Sequence, residues 1–137
     1  MNYWIIVASK DHVIAGQQGG FCQACHGKKW PLKKMSSGDG VLFYSSKETF
    51  GSSTPYQKFT AIGRVKGDNI YRVPMGADFQ PYRRDIKFID CREAKIHPLL
   101  TELHFVENPQ KWGYKLMNGF LKIDRHDFEL ISANMTK

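Results

Sequence analysis

Cys22-Gln23-Ala24-Cys25-His26 is the string in which residue type and spacing most directly suggest chemistry. Two thiols beside an imidazole allow three readings. The CxxCH pattern attaches haem covalently, with the histidine as an axial ligand. Cys22, Cys25 and His26, completed by a distant ligand such as Cys91, allow a small zinc centre. A cysteine beside a histidine allows a nucleophile. The surroundings argue against each. Haem attachment belongs to exported chains, and the opening MNYWIIVASK has no basic leader, long apolar run or small-residue cleavage site. A zinc site of this kind wants a second close-spaced pair. Ser45, Ser46 and Lys47 form the other candidate nucleophile group, without nucleophile-elbow or P-loop spacing. His12, His97, His104 and His126 are scattered, and no paired carboxylates stand out. The expectation is therefore no catalytic residues, no metal and no cofactor, with the cysteines as loop residues of a reduced, cytoplasmic protein.

Binding chemistry is better supplied. Phe21, Trp30, Tyr44, Tyr56, Phe79, Tyr82 and Trp112 fall in loops or at strand ends. Aromatic faces there stack on bases, at roughly 1–3 kcal/mol each. Ser9, Gln23 and Ser45 can hydrogen-bond a base edge. Lys10, Lys47, Arg83 and Arg84 can meet phosphates, which position a strand without reading it. Lys+Arg is 20 against Asp+Glu 13, a net charge of +7, which favours a polyanionic partner. Lys28, Lys29, Lys33 and Lys34 surround Trp30, a mixture suited to a nucleic-acid backbone beside a stacked base. The competing reading is an enzyme on nucleic acid, a nuclease or a base-modifying activity using Cys22, His26 or Lys47.

These residues need elements to position them. Gly38–Ser46 reads as the organising strand: a Gly-Asp-Gly turn, then Val41-Leu42-Phe43-Tyr44, then a polar end that emerges at a site. Tyr3–Ser9 is a second strand, apolar until Ser9 and Lys10. A short helix follows over Asp11–Gly16, capped by Ser9 or Asp11, then a hinge at Gln17–Gly20 and a loop over Phe21–Gly27. Pro31–Met35 reads as one helical turn, and Lys47–Lys58 as a long polar loop over a site. Phe59–Lys66 and Asn69–Val73 read as a hairpin about Gly67-Asp68. Tyr82–Ile89 is a strand whose alternation places Arg84, Ile86 and Phe88 on one face. Pro98–Leu103 reads as a short helix, Asn108–Gly113 as a turn around Trp112, and Phe120–Ile123 as the last strand. Asp124 caps a final helix through about Asn134, with Phe128 and Ile131 facing inward.

The chain has 137 residues, 42% hydrophobic and 24% charged, which suits one domain over 1–137 with one core. No stretch approaches the roughly 20 apolar residues of a membrane span, so no membrane partner is expected. Six short strands with a few short helices give an α+β fold built on a small mixed β-barrel.

Several stretches together carry a family resemblance: YWIIVASKDHV at 3–13, GGFCQACHGK at 19–28, PLKKMSSGDGVLFYSSK at 31–47, FTAIGRV at 59–65, PYRRDIKFI at 81–89, WGYKLMNGF at 112–120 and DFELI at 127–131. In these the chain resembles the EVE domains of the PUA-like superfamily over nearly its full length. The resemblance implies a PUA-like barrel with short peripheral helices, and a binding module without catalysis. It also implies kinship with YTH domains, readers of methylated adenine in RNA. By that more distant similarity a base pocket lies among Ser9-Lys10, Phe21-Cys22-Gln23, the Tyr44-Ser45 strand end and the Phe79–Arg84 segment. By the same similarity, Phe21 and either Phe79 or Tyr82 stand where YTH domains use tryptophans. The function implied is reading a modified nucleobase in RNA or DNA.

Overall fold

β1 (Tyr3–Val7) and β3 (Gly40–Lys47) lie side by side and parallel, with Ile5 opposite Leu42 and Val7 opposite Tyr44. β1, and β3 as far as Tyr44, are almost wholly apolar because both of their faces are covered. The computed structural model describes residues 1–76 and 78–136. Around the central pair run β2 (Phe21–Cys22), β4 (Pro55–Arg72), β5 (Tyr82–Ile89), β6 (Ala94–Lys95) and β7 (Phe120–Ile123), all in antiparallel pairings. The sheet order is β2-β5-β4-β3-β1-β7, with β6 on β4. The expected α+β organisation is present, but the mixed sheet is not closed into the expected barrel: among the described residues the edge strands β2 and β7 do not pair with each other.

Alternation along the strands divides the interior in two. Ile5, Leu42, Tyr44 and Phe59 face a core closed by Ile96 and by Ile131 of α3 (Arg125–Met135). Trp4, Ile6, Val41 and Phe43 face the other, closed by Val13 of α1 (Lys10–Gly19) and Leu32 of α2 (Trp30–Lys34). Asp124 caps α3 as expected, its Oδ1 accepting the Asp127 N–H at 2.9 Å, and Phe128 and Ile131 are buried. No helix among the described residues is long and apolar enough to cross a membrane.

The largest departure from expectation is at Gly67-Asp68. No hairpin forms there. β4 is one long strand because β5 pairs with both of its halves, Ile62–Val65 against Ile89–Ile86 and Ile70–Arg72 against Arg84–Tyr82. The extra residues between Val65 and Ile70 bulge out, with Gly67 at φ +72°, a conformation that suits glycine. Arg84 Nη2 donates to the freed Gly67 carbonyl at 2.8 Å. Smaller differences share one theme, that elements stop or start where hydrogen bonding demands. β1 ends at Val7, and Ser9 is the N-cap of α1, which runs through the expected hinge to Gly19. The Pro98–Leu103 helix is a 3₁₀ turn at His97–Leu99, and Asn108–Gly113 holds another at Pro109–Lys111. β6 and a 3₁₀ turn at Lys115–Asn118 were not legible as elements.

Candidate functional site

The ends of β1 and β3 open into a cavity of about 880 Å³, within the usual range for small-molecule sites. Its walls are the start of α1 (Ser9, His12, Val13, Gly16), the Phe21–Gly27 segment, the β3 end (Tyr44, Ser46, Lys47) and the 112–119 segment. Phe43 and Phe88 form an aromatic floor, their rings 5.4 Å apart and tilted. Phe50, Met75, Phe79 and Met117 line the cavity and are all exposed, so its mouth is apolar. Trp112 is half-buried in the wall, edge-on to Tyr44 at 6.4 Å and His97 at 5.3 Å.

β2 pairs with β5, which sets Phe21 and Gln23 beside Arg83. The Arg83 guanidinium lies 3.8 Å from the Phe21 ring centroid, and its Nε donates to Gln23 Oε1 at 2.7 Å. One face of Phe21 is thereby occupied by a cation. Gly19 sits so close to the Phe21 ring that a Cβ there would fall 2.3 Å from a ring carbon. With Oε1 engaged by Arg83, the Gln23 amide is left as a donor.

The wall then turns through three consecutive left-handed residues, Cys25 (φ 49°), His26 (φ 61°) and Gly27 (φ 82°). Such backbone costs of order 1–3 kcal/mol per non-glycine residue and gathers at functional sites. Gly27 packs on Pro81, where a side chain would clash, and Ala24 O accepts from both Gly27 and Lys28 N–H. Cys25 Sγ reaches the Asn118 carbonyl at 3.5 Å. The thiols stay protonated: burial pushes Cys22 up to about 12 and raises Cys25 as well. Cys22, Cys25, His26 and Cys91 do not converge as ligands. Among the described residues the one group of three or more potential ligands within 4.8 Å of one another is His104, Asp124, His126 and Asp127, at the start of α3. There Asp124 Oδ2 and Asp127 Oδ1 each face a histidine Nδ1 at 2.8 Å, and Asp127 also accepts the His104 and Phe105 backbone N–H groups.

Of the residues singled out in the sequence, Ser9, Phe21, Cys22, Gln23, Tyr44, Lys47, Phe79, Arg83 and Trp112 line this cavity. Four do not. Lys10 lies in α1, where its Nζ meets Glu93 Oε2 at 2.8 Å and Tyr56 Oη at 2.9 Å; those partners, the Glu93 hydrogen bond first, hold it firmly as the ammonium. Ser45 is fully buried, its Oγ 2.8 Å from Thr60 Oγ1. Arg84 is buried and donates to the carbonyls of Leu32, Met35 and Gly67, so it braces α2 against the β4 bulge instead of meeting a phosphate. Tyr82 lies outside the lining, under Lys29 and Arg72. Within the lining, the Lys47 ammonium donates to Ser53 O at 3.2 Å and the Ser9 hydroxyl donates to Asp11 at 2.5 Å. The buried Tyr44 hydroxyl has no hydrogen-bond partner among the described residues, and burial raises its pKa. Lys28, Lys29, Lys33 and Lys34 are all exposed.

Sequence reasoning passed over His12 and Phe50. Their rings stack at 5.0 Å at the cavity mouth, and His26 meets the same Phe50 edge-on at 6.4 Å. The signal available was an aromatic in the middle of a polar loop, Lys47–Lys58, that was itself expected to cover a site.

The family model of the EVE domain matches residues 2–134. A UPF0310 protein of Mycobacterium avium is 48% identical over 99% of both chains. Another, from the gntR 5′ region of Bacillus licheniformis, is 47% identical over 94% of this chain and 88% of its own. Among solved structures, the YTH domain of Zygosaccharomyces rouxii MRB1, in complex with N6-methyladenosine RNA, superposes with a TM-score of 0.64 at 11% identity, covering 96% of this chain and 84% of that one. Rpa0253 of Rhodopseudomonas palustris gives a TM-score of 0.60 at 16% identity, covering 97% and 92%. These likenesses establish the PUA-like fold.

Proposed function

The chain belongs to the EVE-domain family, and from that premise we propose that it binds nucleic acid and takes one modified nucleobase, turned out of its strand, into the cavity at the β1 and β3 ends. The observation that carries this reading is the cavity itself: aromatic floor and wall, apolar mouth, and a small set of fixed polar groups. A flipped base needs such a slot, with hydrogen-bonding groups at its edge. Gln23, locked by Arg83, offers a fixed amide donor to a base acceptor. Trp112 and Phe79 offer aromatic surface, while Phe21 acts jointly with the cation on its face. Apolar lining rewards a base carrying an added alkyl group, since each buried methylene contributes roughly 0.8 kcal/mol. The fold likeness to a YTH domain solved with N6-methyladenosine RNA supports the same reading.

The protein acts as a reader without catalysis. Cys22 and Cys25 are neutral thiols, and Lys47 is hydrogen-bonded to a loop carbonyl. Titration against arrays of single-stranded RNA and DNA, each with one modified or unmodified base, tests the proposal. Tighter binding to one modified base, with the strand recovered intact, is the expected result. Equal affinity for all members, or cleavage or conversion of the strand, would reject it.

A further inference from the structure

Trp30 lies beside a second, smaller cavity of about 390 Å³, which it lines with Trp4, Lys34, Asn118, Phe120 and Lys122. Phe120 is stacked on Trp4 at 4.9 Å and meets Trp30 at right angles at 5.8 Å, so a fixed aromatic pair braces the indole. Trp30 nevertheless stays 46% exposed. Lys34 Nζ sits 5.5 Å from its ring centroid. Lys34 and Lys122 form no salt bridge among the described residues. An exposed indole with two unneutralised ammonium groups at one concave site matches a stacked base with its phosphate.

The two cavities share a wall. Met117 and Gly119 line the first, and Asn118 and Phe120 the second. The wall is pinned: the Gly119 carbonyl accepts Val7 N–H at 2.9 Å, and the Asn118 carbonyl meets Cys25 Sγ. Resting on the function proposed above, we propose that this second cavity is a subsite for a nucleotide neighbouring the flipped one on single-stranded nucleic acid. Its base stacks on Trp30 and its phosphate is held by Lys34 and Lys122. Stacking does not distinguish bases, so the subsite adds affinity and leaves the choice of modified base to the first cavity.

Fluorescence anisotropy with short single-stranded oligonucleotides tests this. Each carries the preferred modified base, and a second set is abasic at one neighbour or the other. For the native protein, one of the two abasic positions should weaken binding by about 5- to 150-fold. Trp30→Ala should weaken binding to the intact strand by a similar factor and become insensitive to that abasic position. Trp30→Tyr should restore most of the loss, which separates stacking from folding. Binding of the free modified nucleoside, followed by calorimetry, should be the same in all three proteins. If native protein and Trp30→Ala bind the intact strand alike, the subsite is wrong and the reader function stands. If the native protein binds no oligonucleotide, the reader function itself fails and the subsite with it.

Discussion

The Arg83 guanidinium covers the Phe21 ring at 3.8 Å and at the same time fixes Gln23 Oε1 at 2.7 Å. One side chain from β5 thus sets two residues of the neighbouring cavity wall, an aromatic surface and a hydrogen-bond donor. Arginine suits this double task because its planar fork can stack and donate together. A lysine there keeps the charge but cannot hold both partners. On the function proposed above, base discrimination should therefore depend on Arg83 through Gln23, and not on Phe21 alone.

Arg83→Lys should keep the fold and most of the overall affinity, and should reduce discrimination between paired modified and unmodified oligonucleotides by about tenfold, the loss of one fixed donor. Gln23→Ala should do the same, and the double variant should be no worse than either single one. Retained discrimination in Arg83→Lys would show that the amide is not read by the ligand.

Arg84, its neighbour in sequence, should behave oppositely. Its side chain is 3% exposed and satisfies three backbone carbonyls in α2 and the β4 bulge. Truncation leaves those carbonyls without their charged donor. Arg84→Met should cost about 3 kcal/mol in urea unfolding. Ser45→Ala, which breaks the buried pair with Thr60, should cost about 1 kcal/mol. Oligonucleotide affinity of the folded fraction should stay at the native level in both. Weakened binding with native stability would return either residue to the ligand.

These contrasts show what the sequence could reveal. The buried strands and the Asp124 cap were legible because they depend on local pattern. Residues near the strand ends were legible as a group, since strand ends in such sheets converge. The fate of individual polar side chains was not. Arg83 and Arg84 are adjacent and chemically identical, and only the pleat of β5 sends one to the cavity and the other inside. Gly67-Asp68 carries ordinary hairpin chemistry, yet the partner strand β5 runs on past it and forbids the turn. Lys10 looked free at a strand end, but a helix begins there and brings Glu93 and Tyr56 within reach. Long-range pairing decided each case.

The His104 imidazole pairs with Asp124 at 2.8 Å, and that hydrogen bond raises its pKa above the ordinary histidine value. Asp127 and the stacked His126 ring, 3.7 Å away, are the other titratable neighbours. A raised folded-state pKa means the protonated histidine stabilises the fold. That contribution is complete below the unfolded value of about 6.5 and is lost as pH rises through the folded value. The melting temperature of the native protein should therefore fall, relative to His104→Gln, as pH is raised from about 6 to about 8. Parallel melting curves for the two proteins across that range would mean the pair does not contribute.

Lys28, Lys29, Lys33 and Lys34 flank Trp30 and are exposed, and none forms a salt bridge among the described residues. Lys29 and Lys34 lie over the Tyr82 and Trp30 rings, each at 5.5 Å, which holds their charge near aromatic surface without neutralising it. Phosphate contacts from such groups release counterions and carry no base information. Replacing all four with Ala should weaken binding to every oligonucleotide by a similar factor, modified or not. On single strands the slope of log K against log salt should shrink by about 0.7 for each lysine that meets a phosphate. The ratio of affinities for modified and unmodified strands should stay constant, because the first cavity is untouched. Anisotropy titrations over a range of salt concentrations give both numbers in one experiment. An unchanged slope would move the polyanion surface away from α2, and a changed ratio would mean these lysines take part in reading the base.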